Sequence, residues 1–321
     1  MKGASYANGV VTIPSSACGT LYGKQEALAR FATTDVRFTW LLVNQKIVDK
    51  TGVDSFLALA QALEPSSDKI YGGYFELGAN IAYEGVFDCT KNGMGAASKW
   101  ESGKGNYALF ADNGLEGFVG TLDGMGYAIS GMRVGPNYIN GGFISMMGAA
   151  GILRNIAFTG YQSLVTDSTN GTIVGAGGGM IENVYVERTA YTSDQHRVGL
   201  FFTYNGSGLF SQSITYRNVM VNDTAFNNNP IALSAAYPIT GIFSKNATCE
   251  NVFLATSDAN DIKYFANKQN GGDNGTNTDD VVKHAATMAE TYALASTEFK
   301  TAFDAIWQSG SGVVLSDGTT K

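Results

Sequence analysis

The sequence contains little proline, little charge and no long apolar run. Of its 321 residues, 5 are proline and 15% are Asp, Glu, Lys or Arg, compared with about 25% charged residues in typical domains. Disordered chains usually have high charge and few aromatic residues, whereas 12% of these residues are aromatic. No segment approaches the roughly 20 apolar residues of a membrane-spanning helix. We therefore expect a folded domain without membrane insertion.

Basic residues and cysteines are also scarce. The chain has 21 Lys and Arg against 28 Asp and Glu, which gives a net charge of −7. Because nucleic-acid binding needs clustered Lys and Arg, the composition predicts no nucleic-acid partner. Cys18, Cys89 and Cys249 form no CxxC pair, so a zinc or redox motif is not expected. Three buried thiols are favoured over one disulfide and a free thiol.

The first residues, MKGASYANGVV, lack the apolar core of a signal peptide. A secreted protein would therefore be represented here in its mature or excised form. Glycine is abundant instead, with 40 residues. Together with many Ser, Thr and Asn residues, this composition favours strands and tight turns.

A six-residue pattern repeats along the middle of the chain: apolar, Arg or Glu, Asn, Ile or Val, any residue, apolar. The copies are residues 153–158, 181–186, 216–221 and 249–254, and a fifth copy at 129–134 has Gly in place of Asn. Each copy follows a short apolar segment that begins with Gly: 117–119, 142–144, 171–174, 199–201 and 241–243. Two short strands per repeat cannot bury their own apolar face, so the repeats must stack as a parallel β-helix.

The fixed Asn or Gly position predicts a structural bend. Asn and Gly tolerate left-handed backbone angles better than other residues, and stacked Asn side chains can hydrogen-bond to one another. We interpret the set as structural, not catalytic: Gly131, Asn155, Asn183, Asn218 and Asn251. The residue before each Asn alternates in charge, which predicts a ladder of stacked opposite charges and not a catalytic cluster: Arg154, Glu182, Arg217 and Glu250.

Three regions follow from these patterns. Residues 1–50 contain strands at 10–13 and 38–43 that cannot be placed, and residues 24–31 are interpreted as a helical turn or two. Residues 51–256 form the β-helix, with about five rungs and an N-terminal helical cap at 54–64 that Asp54 begins. Residues 257–321 form a polar loop and a C-terminal helical cap. Its first helix carries Val281, Ala285, Met288 and Tyr292 at helical spacing and includes His284. Its second begins at Ser296, with Phe299, Phe303, Ile306 and Trp307 on one face.

The segment 118–132, FVGTLDGMGYAISGM, resembles the F-x-G-T-L-D-G-x-G-x-x-I-x-G-L opening of pectin-lyase-like β-helices in bacterial surface proteins with GLUG-type repeats. Residues 74–81 are similar to an upstream strand of such proteins. The resemblance covers about residues 54–256. It implies an all-β, right-handed, single-stranded parallel β-helix in an extracellular or cell-surface bacterial protein, often adhesin-like.

The sequence offers few candidate residues for catalysis or ligand binding. The Asp and His motifs of polygalacturonases do not occur in the repeats. The best catalytic candidate is His196 in a polar turn with Asp194 and Arg197. Four tyrosines in turns are candidates for stacking on sugar rings: Tyr138, Tyr161, Tyr191 and Tyr204. Calcium is the one cofactor left open, with four oxygen ligands in the polar loop: Asp258, Asp261, Asp273 and Asp279.

These observations favour a non-catalytic surface module that binds a glycan or protein partner or serves a structural role. The alternatives are a polysaccharide lyase or glycoside hydrolase on the same fold, and a phage or virion structural protein. The oligomeric state stays open.

Overall fold

The structure is a computed structural model that describes residues 5–7, 10–12, 23–30, 35–43, 45–61, 73–87, 118–134, 142–164, 170–192, 198–204, 214–223, 247–256 and 282–321. The described part is mostly β. Its strands are β1 (Ser5–Ala7), β2 (Val10–Thr12), β3 (Gly23–Arg30), β4 (Asp35–Leu42), β5 (Gln45–Ile47), β6 (Tyr74–Leu77), β7 (Ile81–Phe87), β8 (Thr121–Asp123), β9 (Ala128–Val134), β10 (Ile144–Met147), β11 (Ile152–Leu164), β12 (Asn170–Gly177), β13 (Gly179–Thr192), β14 (Val198–Tyr204), β15 (Ile214–Asp223), β16 (Ala247–Ala255) and β17 (Val282–Ala285). Its helices are α1 (Lys50–Gln61), α2 (Met288–Ala293) and α3 (Thr297–Asp304).

A ten-stranded parallel sheet forms the main body. Its path is β17-β16-β15-β13-β11-β8-β6-β5, with β7 and β9 joined beside it. A second parallel sheet has the order β10-β12-β14, and it contains three of the predicted Gly-led segments. The Gly-led segment at 241–243 lies outside the described residues. The alternation of the chain between two parallel sheets is consistent with the predicted all-β parallel solenoid.

The core consists of apolar residues stacked in register from strand to strand. Ile156 pairs with Val184, Val184 with Val219, and Val219 with Val252, and all four are at most 1% exposed. Because neighbouring strands lie about 4.8 Å apart, the apolar side chains of each column are in contact from one strand to the next. This stacking gives each repeat the burial that it cannot achieve alone.

Helix α1 packs against the N-terminal end of this core. Its Phe56 ring lies 4.9 Å from the Phe75 ring and 5.9 Å from the Phe118 ring. The helix begins earlier than predicted, because the Asp49 carboxylate accepts the Gly52 amide at 2.8 Å. The prediction that Asp54 begins the helix is wrong, since Asp54 lies inside α1.

In the described part of the C-terminal region, residues 282–321, the first element is a strand where a helix was predicted. Val282 is buried and pairs with Val252, so residues 282–285 extend the main sheet, and His284 lies in β17. Strand pairing outweighs the helical spacing of these few residues. Thr287 begins α2 by a capping box with Glu290. The predicted cap of the second helix is confirmed, since the Ser296 hydroxyl accepts the Phe299 amide at 3.1 Å.

The N-terminal residues form two antiparallel pairs, β1 with β2 and β3 with β4. The strands predicted at 10–13 and 38–43 are confirmed within β2 and β4. The helical interpretation of residues 24–31 is wrong, because Gly23–Arg30 pairs along its whole length with Asp35–Leu42. Within the described residues, neither pair is hydrogen-bonded to the main sheet, whereas β5 forms one end of that sheet.

Candidate functional site

A bend at each repeated Asn divides the outer surface of the main sheet in two. The φ angles are +49° at Asn155 and +53° at Asn183, Asn218 and Asn251, which are the left-handed angles that the sequence predicts at these positions. The outward-facing residues that precede each bend in the chain include Arg154, Glu182, Arg217 and Glu250, and we call the surface that they form the open face. We call the row of outward-facing residues that follow the bend the covered row. The covered row consists of Ala128, Ala157, Tyr185, Met220 and Phe253.

The Asn side chains form a ladder at the bend. Asn183 Nδ2 donates to Asn155 Oδ1 at 2.8 Å, and Asn218 Nδ2 donates to Asn183 Oδ1 at 2.8 Å. Asn251 Nδ2 continues the series to Asn218 Oδ1 at 3.0 Å. At the other end Asn155 Nδ2 donates to Asp123 Oδ1 at 3.0 Å. The ladder therefore runs in one direction and ends on a carboxylate.

The bend predicted at Gly131 is confirmed, but its alignment with the Asn positions is wrong. Gly131 has a φ of +68°, but its neighbour Ser130 pairs with Thr159, so Gly131 lies beside Gly160. A Cβ at Gly160 would lie 3.7 Å from the Gly131 nitrogen. The aligned pattern at 129–134 is thus displaced from the Asn register, and Gly131 belongs to a second bend with Gly160.

Seven charged residues follow one another in register on the open face. We call this set the charge column: Lys46, Glu76, Asp123, Arg154, Glu182, Arg217 and Glu250. The sequence analysis identified the last four, and the first three extend the column to the N-terminal end of the sheet. The extension was missed because the sequences around Lys46, Glu76 and Asp123 do not match the six-residue pattern.

Ion pairs within the charge column neutralise most of its members. Arg217 bridges two neighbours, with Nη1 3.0 Å from Glu182 Oε1 and Nε 3.0 Å from Glu250 Oε2. Hydrogen bonds to these two carboxylates raise the pKa of Arg217. Lys46 Nζ lies 3.7 Å from Glu76 Oε1. The predicted alternation of charge is therefore a set of direct contacts.

Asp123 is the most buried member of the charge column, with its side chain 3% exposed. Its Oδ2 accepts Tyr74 Oη at 2.8 Å and Arg154 Nε at 2.8 Å. Its Oδ1 accepts Asn155 Nδ2 and the Met125 amide, each at 3.0 Å. Burial raises the pKa of the Tyr74 hydroxyl. A carboxylate offers about four acceptor positions, so acting as a base or a metal ligand would cost Asp123 a partner.

The catalytic and metal candidates lie outside the described residues, together with the sugar-stacking candidate Tyr138. These are His196, Asp194, Arg197, Tyr138, Asp258, Asp261, Asp273 and Asp279. Within the part of the chain that the structure describes, no three His, Cys, Asp or Glu side chains are grouped so as to hold a metal ion. The four calcium ligands therefore stay predictions.

The tyrosine candidates have different outcomes. The prediction that Tyr161 contacts a sugar is wrong, because Tyr161 is buried and its ring packs edge-on against Phe158 at 6.0 Å. It points inward because the strand bulges between Phe158 and Tyr161. The backbones of Tyr191 and Tyr204 lie in β13 and β14, and their side chains are outside the described part.

A buried ion pair escaped the sequence analysis. Arg188 and Asp223 are paired in register, both side chains are 0% exposed, and two hydrogen bonds join them, one from Arg188 Nε to Asp223 Oδ1 at 3.0 Å. A signal was present in the sequence. Each residue lies two positions after the last apolar residue of its repeat copy, Val186 or Val221, so extending the alignment would have placed the opposite charges side by side.

Comparisons with known proteins give a limited result. No protein-family model matches the sequence, and no solved structure matches it. Halomucin from Haloquadratum walsbyi (strain DSM 16790 / HBSQ001) is 31% identical over 144 residues, which is 44% of this chain and 1% of halomucin. The chain thus spans about 1% of the length of that relative. Among the helices of the described residues, none combines the length and apolar character of a membrane span.

Proposed function

We propose that the chain is a non-catalytic cell-surface module whose open face binds a glycan or protein partner. Its fold in this proposal is a right-handed, pectin-lyase-like β-helix with the helix α1 capping its N-terminal end. The parallel sheets, the packing of Phe56 at the N-terminal end of the core and the partial similarity to halomucin support it. The adhesin-like role rests on the open face.

One observation carries the non-catalytic part of the proposal: the acids and bases of the open face are bound to one another. Hydrolysis of a glycosidic bond needs a proton donor and a second carboxylate on opposite sides of the bond. On the open face, Glu182 and Glu250 both bind Arg217, and Asp123 has four donors. These groups are arranged to hold the strands together and to present fixed charges.

The same face offers a surface for recognition. The side chains of Arg217 and Glu250 are 41% and 59% exposed, and the half-buried outer residues Ile152, Met180 and Thr215 lie beside the charge column. Alternating charge beside apolar and hydroxyl groups suits a partner with polar groups at matching intervals. Charged groups at such a surface contribute mainly to specificity and to the rate of association.

The test is a binding measurement with the labelled full chain on intact cells of the source organism and on immobilised defined glycans. The open-face variant Glu182→Gln/Arg217→Gln removes one charge of each sign. The matched control, Glu298→Gln/Lys300→Gln, does the same on α3. We expect the open-face variant to lose about tenfold in bound protein, with the control unchanged.

Two results would contradict the proposal. One is equal binding by the two variants, which would move recognition away from the open face. The other is no binding of the wild-type chain to any cell or glycan surface. Circular dichroism of both variants checks that each keeps the β fold. A loss of binding then results from the substituted charges of the open face and not from unfolding.

The cluster of Tyr74, Asp123 and Arg154 favours one second candidate, a polysaccharide lyase or hydrolase. Arg154 Nη2 lies 3.4 Å from the Tyr74 hydroxyl and Arg154 Nε lies 2.8 Å from Asp123, so a phenol, a carboxylate and a guanidinium meet. Against this candidate, the Asp123 carboxylate is 3% exposed and fully hydrogen-bonded. An activity assay separates the two functions.

A further inference from the structure

The C-terminal segment lies lengthwise along the main sheet. We call residues 287–315 the brace. Its apolar side chains bury the covered row and form a second core with it: Tyr292, Ala295, Phe299, Phe303, Trp307 and Val313. The covered row takes one residue from each of β9, β11, β13, β15 and β16. The brace therefore contacts five successive strands at once.

Two parts of the brace are attached to opposite ends of this row: the part from Thr291 to Phe299, and the turn at Gln308 and Ser309, which we call its far end. Near its start, the Thr291 hydroxyl oxygen lies 3.4 Å from the Leu254 carbonyl oxygen, and the Phe299 ring lies 4.8 Å from the Phe253 ring. Trp307 then packs 6.3 Å from Tyr185 in the middle of the row. The chain thus runs back from β16 toward the N-terminal strands.

The far end of the brace is held by backbone hydrogen bonds. The Gln308 amide donates to the Gly126 carbonyl at 2.9 Å, and Asn80 Nδ2 donates to the Ser309 carbonyl at 2.8 Å. Asn80 Oδ1 in turn accepts the Ala128 amide at 3.0 Å. These bonds join the brace to the turn before β9 and to the turn before the neighbouring strand β7.

The sizes of the residues below the brace fix its path. The row begins at β16 with Phe253, Met220 and Tyr185 and ends with two alanines, so the brace approaches the sheet more closely toward its far end. At Gly126 a Cβ would lie 2.0 Å from the Ile306 carbonyl oxygen, and the φ of +81° also requires glycine. The close approach of the brace at Gly126 thus coincides with the small residues of the row.

We propose that the brace couples the strands so that the two ends of the row open together. In an unbraced solenoid each repeat contacts only its neighbours, so stability is a sum of local terms and openings are local. A segment anchored on five strands adds contacts between strands that are four steps, or about 19 Å, apart. Local opening at one end then requires detachment along the whole brace.

Native-state hydrogen exchange tests this coupling. In Phe299→Ala, which removes the ring packed on β16, we expect amide protection to fall about tenfold in β16 and by a similar factor in the distant β9. The matched control is Glu250→Ala, a change in β16 on the open face, away from the brace. It is expected to affect β16 and its neighbour alone.

Reciprocal and milder variants keep the test decisive. Gly126→Ala forces the far end of the brace away and should lower protection in β16. Phe299→Leu, which retains an apolar side chain, replaces Phe299→Ala if the latter does not fold. Loss of protection limited to β16 and β15 in the Phe299 variants, or to β9 and β11 in Gly126→Ala, would overturn the proposal, because the brace would then act only locally.

Discussion

Asn183 donates its side-chain amide to Asn155 and accepts that of Asn218, each over 2.8 Å. The same residue holds a left-handed φ of +53°. Asn183 therefore does two things at once: it turns the strand, and it joins the turn to the strands above and below. These two contributions can be separated by substitution.

Replacement of Asn183 by Val is expected to lower the free energy of unfolding by about 2–4 kcal/mol, because a β-branched residue is strained in the left-handed region and two hydrogen bonds are lost. Asn183→Gly is the matched control, since it accepts the bend and loses only the hydrogen bonds. Chemical denaturation should give a smaller loss for Gly than for Val. Equal losses of unfolding free energy in the two variants would show that the backbone strain is unimportant. An unchanged free energy of unfolding in Asn183→Val would contradict the left-handed bend itself.

The Asn ladder and the stacked apolar columns could be predicted from sequence because each depends on a residue type at a recurring local position. Register could not be predicted in the same way. The copy at 129–134 resembles the others, but insertions of different length separate the repeats, and Gly131 pairs beside Gly160 instead of beside Asn155. A gapless pattern does not reveal which residues lie opposite each other.

Tertiary contacts explain the other differences. Residues 282–285 match a helical spacing, yet β16 supplies a pairing partner and a buried place for Val282. The Asp123 cluster joins residues 74, 123, 154 and 155 from three repeats, and its completeness becomes visible only when the strands are stacked. The phenylalanines of the second C-terminal helix were expected to share a face, but the surface that they cover could not be foreseen.

The buried pair of Arg188 and Asp223 gives a second prediction. Asp223→Ala should lower the free energy of unfolding by about 3–5 kcal/mol, because it leaves the Arg188 guanidinium buried without its carboxylate. The double variant Arg188→Met/Asp223→Leu removes both charges and should be nearer to the wild type. Urea denaturation measures both. A double variant as unstable as Asp223→Ala would mean that the charges themselves are needed.

Cys249 is expected to be an unreactive thiol. Burial raises its pKa to about 12, from an ordinary value of 9.0, so at pH 8 the thiolate fraction falls about 1,000-fold. In a Cys18→Ser/Cys89→Ser background, alkylation by iodoacetamide should be correspondingly slow and should rise about tenfold per pH unit from 8 to 10. Rapid labelling with a plateau near pH 9 would contradict this assignment.

The raised pKa of Cys249 also predicts that the folded chain loses stability at alkaline pH. A raised pKa in the folded state means that the stabilising contribution of the neutral thiol is complete below pH 9 and is lost as the pH rises toward 12. Tyr185 acts in the same direction, since burial raises its pKa to about 12. The melting temperature should therefore fall between pH 9 and 12. In Cys249→Ala it should fall less over the same pH range.

Removal of the brace by ending the chain after Ala286 should promote association. It keeps β17 but uncovers Tyr185, Met220 and Phe253, which are at most 1% exposed in the full chain. Contiguous exposed apolar surface recruits other chains. Sizing by light scattering should show oligomers at concentrations at which the full chain shows none. An equally stable truncated chain with the association state of the full chain would show that the brace buries nothing essential.

The absence of catalysis is tested most directly by product release from glycans. The purified full chain is incubated with pectin, polygalacturonate and other plant glycans in the presence of calcium, and unsaturated and reducing ends are measured. The account predicts no release above the blank, because the acidic and basic groups of the open face bind one another. Release that His196→Ala or Asp123→Asn abolishes would contradict it, and would place the active site in the segment around His196 or at the Asp123 cluster.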